Sequence, residues 1–79
     1  MDKPQFESLV QLKIRDIVSL IMTRNALDFE EALHYLYTSQ LYSMLIDEDT
    51  KLWHLSNPKL FDMLINEKKY NRLDLPDYV

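Results

Sequence analysis

The chain has no glycine in its 79 residues. Phosphate cradles, dinucleotide fingerprints, nucleophile elbows and oxyanion loops need backbone that approaches a ligand closely or takes positive φ, so none of them can be written here. Most nucleotide-dependent and hydrolase motifs are thereby excluded. The same absence predicts a helical chain whose helix ends use Asn where Gly is usual. Cysteine is missing as well, which removes disulfides, zinc–thiolate sites and cysteine nucleophiles and agrees with a reducing compartment. No uninterrupted apolar stretch has the form of a signal peptide or a membrane span, so the cytoplasm is the expected location.

Basic charge is scarce. Nine Lys and Arg face thirteen Asp and Glu, giving a net charge of −4 and a pI near 4.9. The basic residues are scattered, whereas nucleic-acid binding rests on clustered cations that neutralise phosphates. DNA or RNA binding is disfavoured, including through a helix-turn-helix made from the second and third helical segments. Hydrophobic residues make up 47% and charged residues 28%, the balance of a folded protein rather than a disordered one. The length predicts a single helical domain over 1–79 that buries only about 60–65% of its unfolded surface, so a partner or a second copy would add core.

What is present is helical periodicity. From about Gln5 to Arg24, the residues Phe6, Leu9, Val10, Ile14, Ile17, Leu20 and Ile21 form a stripe about 140° wide, with Pro4 at the first turn and Asn25 at the end. Leu12, Val18 and Met22 fall off this stripe. They predict either a second packing side within a small bundle or a dimer or partner surface. In Leu27-Asp28-Phe29-Glu30-Glu31-Ala32, Asp28 is an N-cap, Glu31 closes a capping box, and Leu27 with Ala32 makes a hydrophobic staple. Phe29, Ala32, Leu33 and Leu36 then give one core face. That phase fails after Leu36, and Thr38 or Ser39 can cap a short third helix over Gln40 to Ile46 that carries Leu41, Met44 and Leu45.

The stretch 47–58, DEDTKLWHLSNP, reads as an acidic turn followed by an extended arm over 51–55. Alternation there would put Leu52 and His54 on one side and Trp53 and Leu55 on the other. Ser56 or Asn57 then caps a fourth helix with Pro58 in its first turn, carrying Leu60, Phe61, Leu64 and Ile65 inward and ending near Lys68-Lys69. The tail, 70–79, is read as a strap over the core or a flexible end. The expected fold is therefore all-α, a compact bundle of about four helices with one short extended segment.

Chemistry is hard to assemble from these residues. The acidic turn Asp47-Glu48-Asp49-Thr50 lacks the glycine and the terminal bidentate Glu of a calcium loop. His34 and His54 lack the helical spacing of zinc pairs, and Ser56, His54 and Asp49 lie too close in sequence to converge as a nucleophilic triad. A small metal-binding protein or enzyme using His34, His54 and the acidic turn remains the alternative reading. Otherwise no catalytic residue, metal or cofactor is expected. Tyr35 and Tyr37 cannot both face the core with Leu36, so they are either core-edge residues with wet hydroxyls or part of a partner surface. The candidate interface is Leu12, Val18, Met22, Tyr35 and Tyr37; the structural anchors are Asp28, Glu31, Trp53, His54 and Ser56.

The order Glu31-Ala32, then Ser39-x-Leu41-Tyr42-x-x-Leu45, then Asp49-Thr50-Lys51-Leu52-Trp53-His54-x-Ser56 resembles a small family of uncharacterised bacterial helical domains over residues 28–67. Some members resemble components of toxin and antitoxin gene clusters. The resemblance implies a protein-binding accessory role and brings no activity with it. The expectation is a non-catalytic interaction module with a protein partner or a second copy, and with no nucleic acid, membrane or small-molecule substrate.

Overall fold

The computed structural model describes residues 2–73. Four helices, α1 (Lys3–Asn25), α2 (Phe29–Tyr37), α3 (Gln40–Leu45) and α4 (Asn57–Tyr70), with two 3-10 turns between α3 and α4, account for the regular structure, and no strand occurs among the described residues. The all-α expectation holds. Helix starts lie where short polar side chains satisfy the first backbone donors. Asp2 accepts from Gln5 N at 3.0 Å, Ser39 from Tyr42 N at 3.0 Å and Ser56 from Lys59 N at 3.3 Å. Asp28 accepts from Glu31 N at 2.8 Å while the Glu31 carboxylate accepts from Asp28 N at 3.1 Å, which completes the capping box.

One core joins all four helices. Ile17 and Ile21 from α1, Leu36 from α2, Leu41 and Leu45 from α3, Leu60 and Leu64 from α4, and Leu52 from the second 3-10 turn are fully buried. Each such side chain stabilises the fold by about 1.5–3 kcal/mol relative to exposure. The long α1 packs against α2, α4 and the second 3-10 turn, and α3 packs against α2, α4 and both turns. A polar clamp fixes α1 to the start of α4. Lys13 Nζ donates to the Leu55 carbonyl at 2.8 Å and to Asn57 Oδ1 at 3.2 Å, and Asn57 Nδ2 donates to Asp16 Oδ2 at 2.8 Å.

Three expectations are corrected. The extended arm over 51–55 is absent: 3-10 turns occupy Glu48–Thr50 and Leu52–His54, with Lys51 left-handed at φ 60° between them. Thr50 Oγ1 donates to the Met44 and Asp47 carbonyls, and Asp47 Oδ1 accepts from Asp49 N at 3.0 Å, so local hydrogen bonds curl the segment. A repeat of three then brings Leu52 and Leu55 to the same side, both buried, and leaves His54 exposed. Second, Ala26 rather than Asn25 takes the left-handed position after α1, at φ 54°; only α4 ends on the expected residue type, with Asn71 at φ 58°. Third, Phe29 is not a core residue and is 58% exposed. It is the first residue of α2 and stands outside the buried cluster that takes Ala32 and Leu36. Of the strap expected over 70–79, Tyr70 closes α4 and residues 74–79 lie outside the described residues.

Candidate protein-binding face

Along α1 the i±4 ridge Val10–Ile14–Val18–Met22 lies beside the ridge Glu7–Gln11–Arg15. Across from it stand α2 and α3. A hollow of about 220 Å³ is lined by Ile14, Arg15, Val18, Phe29, Leu33 and Tyr37 together with Gln11. A second hollow, of about 300 Å³, is lined by Phe6, Glu7, Val10, Tyr42 and Ile46 and again by Gln11 and Ile14. The two hollows adjoin along α1, where they share Gln11 and Ile14, and together form a shallow groove divided by a tyrosine pair. Near its middle the Tyr37 and Tyr42 rings meet at 4.7 Å between centroids, tilted by 47°. Phe29, Tyr37 and Ile46 stand on its α2 and α3 side with about half of each side chain in solvent, and Leu12 is exposed on the outer flank of α1.

The residues expected to form an interface are therefore divided. Val18 is 3% exposed and belongs to the core, and Met22 is half-buried against that core. The second packing side of α1 accounts for them. Leu12 and Tyr37 are exposed, whereas Tyr35 is half-buried and turns toward α4. There it lines a separate, open hollow of about 570 Å³ with Leu27, Glu30, Glu31, His34, Thr38 and Lys68. Lys68 Nζ lies 4.9 Å over the Tyr35 ring and donates to Thr38 Oγ1 at 2.8 Å. Burial, opposed by a hydrogen bond with Asn25 and reinforced by the charge of Glu67, pushes the Tyr35 phenol above its ordinary range. Lys13 is shifted the other way, lowered by burial against the raising influence of Asp16.

The acidic turn and its neighbours form a joint. Trp53 Nε1 donates to the Glu48 carbonyl at 2.9 Å, its ring meets Phe6 edge-on at 5.8 Å, and His54 stacks on it at 4.0 Å. His34 lies on α2 beside Glu30 and Glu31 instead. Among the described residues no three of His, Asp and Glu come together in a way that could hold a metal ion. Nor is any helix there long and apolar enough to cross a membrane.

Sequence reasoning missed Phe29, Tyr42, Ile46 and the charged ridge of α1 as parts of one groove. Tyr42, Ile46 and the charged ridge lie outside the helical stripes and the apolar spacing puts Phe29 on a core face, and their convergence depends on how α2 and α3 lie against α1. It also missed Glu67, which is 8% exposed and whose two carboxylate oxygens accept from Gln40 N at 2.7 Å and Leu41 N at 3.0 Å. No protein-family model, curated protein or solved structure matches this chain.

Proposed function

We propose that the chain is a non-catalytic protein–protein interaction module, either self-associating or an accessory protein for another chain, that binds through the groove between α1 and α2–α3. The observation that carries this reading is the groove itself, mixed in polarity, with half-exposed Phe29, Tyr37 and Ile46 along one side and the core residues Val10 and Val18 in its lining. Aromatic side chains around a concave apolar floor are the usual anchors of protein interfaces, because they add large contact area at little conformational cost. The helix-turn-helix alternative has a further physical difficulty. The start of α3, which such a reading would turn toward phosphates, already holds the Glu67 carboxylate.

The test is site-specific photocrosslinking. A photoreactive phenylalanine analogue replacing Tyr37 is introduced into the full chain, expressed in its native host and irradiated. A discrete adduct is expected from Tyr37 and none from the same analogue at Tyr70, which is exposed at the end of α4. Equal, diffuse labelling from both positions would remove the proposal.

A further inference from the structure

We infer that the occupant of the groove is a second copy of this chain, with the two α1 helices antiparallel about a two-fold axis near Gln11. This rests on the interaction-module reading and names its partner. The ridge Glu7–Gln11–Arg15 carries opposite charges at equal distances from its centre, and its ends lie about 12 Å apart on a helix rising about 1.5 Å per residue. Neither Glu7 nor Arg15 has a hydrogen bond or ion pair among the described residues, so both charges are available to a partner. Reversing one copy against the other sets Glu7 of each opposite Arg15 of the other, giving two ion pairs related by symmetry.

The surroundings share that polarity. The Arg15 end of the groove holds Phe29 and Tyr37, and the Glu7 end holds Phe6 and Ile46. Next to the Glu7 end lie Lys3, Asp47 and Glu48, so that end stays net negative. A two-fold axis at Gln11 therefore brings the basic half of each groove onto the acidic half of the other and covers the exposed aromatic and aliphatic side chains together. Aligned i±4 ridges are also the commonest way in which helices pack, crossing at about 50°. A stable contact needs about 800 Å² from each copy, roughly one-seventh of the 5332 Å² surface of this chain.

Sedimentation equilibrium of the full chain from about 1 μM to 1 mM tests the inference through charge reversal. A concentration-dependent dimer is expected for the native protein. Glu7→Arg and Arg15→Glu should each weaken it about tenfold, since each turns two attractions into two repulsions. The double variant E7R/R15E restores the pairs in exchanged order and should return the dimer to within about threefold of the native dissociation constant. Lys69→Glu, remote on α4, serves as the control and should change nothing. Circular dichroism verifies that each variant is folded. A native protein that stays monomeric throughout, or a dimer whose double variant is no tighter than the single ones, overturns the inference. The Tyr37 crosslink separates this failure from failure of the broader reading: an adduct with a different protein removes only the second copy as occupant, and no discrete adduct removes both.

Discussion

Glu67 is the residue whose replacement should reveal most about what holds the short α3 in place. A helix of six residues has almost no stability of its own, because the first turn fixes several dihedral angles for a single hydrogen bond. Its first three backbone donors are all taken by side chains. Ser39 Oγ accepts from Tyr42 N, and the Glu67 carboxylate reaches from α4 to accept from Gln40 N and Leu41 N. The positive end of the α3 peptide dipoles faces this buried carboxylate.

Two charge-assisted hydrogen bonds would be worth about 3–6 kcal/mol together. Two opposing effects reduce that figure. Gln40 is exposed, so water can replace the lost acceptor at its amide, whereas Leu41 is fully buried and its amide would be stranded. Removing the carboxylate also recovers its desolvation penalty. Glu67→Met, which keeps most of the aliphatic stem, should therefore destabilise the chain by about 2–4 kcal/mol. Glu67→Gln keeps one acceptor but turns an amide donor toward the second backbone donor, and should lose about 1–3 kcal/mol. Urea unfolding followed by circular dichroism and by Trp53 fluorescence measures the difference, and amide hydrogen exchange at Gln40 and Leu41 locates it. A Glu67→Met protein within 0.5 kcal/mol (about the scatter of ordinary surface substitutions) of the native one, with unchanged exchange at both amides, would refute the reasoning.

The other expectations are narrower. Asp28→Ala removes one half of the capping box and should cost about 1 kcal/mol, read as a fall in melting temperature of about 4–8 °C for a chain of this size. Ala26→Gly relieves a left-handed residue at φ 54° and should raise stability by about 0.5–1 kcal/mol in urea unfolding. Leu52→Ala opens a cavity between the second 3-10 turn and the core and should cost about 2–5 kcal/mol in the same assay. Tyr35 and Lys13 give opposite dependences on alkaline pH. The folded-state pKa of Tyr35 is raised, so its contribution is complete below the unfolded value of about 10 and is lost as pH rises through the folded value; Tyr35→Phe should remove that loss. The folded-state pKa of Lys13 is lowered, so the unfolded chain binds more protons between the folded value and about 10.5 and stability climbs with pH there; Lys13→Met should flatten the climb in urea midpoints taken from pH 8 to 11.

What the sequence determined by itself was where helices begin and which residues start the core. Asp28 with Glu31, a cap at Thr38 or Ser39, and a cap at Ser56 or Asn57 beside Pro58 were legible because such side chains act on donors three residues away, within one turn of chain. The structure uses Ser39 and Ser56. The apolar spacing of Phe6, Val10, Ile17 and Ile21 was legible for the same reason, since one face of one helix needs no knowledge of its neighbours. The corrections came where a residue answers to two elements. Alternation in 51–55 looked extended, yet the hydrogen bonds of Thr50 and Trp53 back to Met44, Asp47 and Glu48 impose a repeat of three, and only that repeat buries Leu52 with Leu55. Val18, off the main stripe of α1, allowed either a second packing side or a partner surface, and only the packing of α2 on that side decides for the core. The groove and the Glu67 contact depend wholly on tertiary structure: they join side chains and backbone of different helices, and no local periodicity encodes the angle at which one helix meets another.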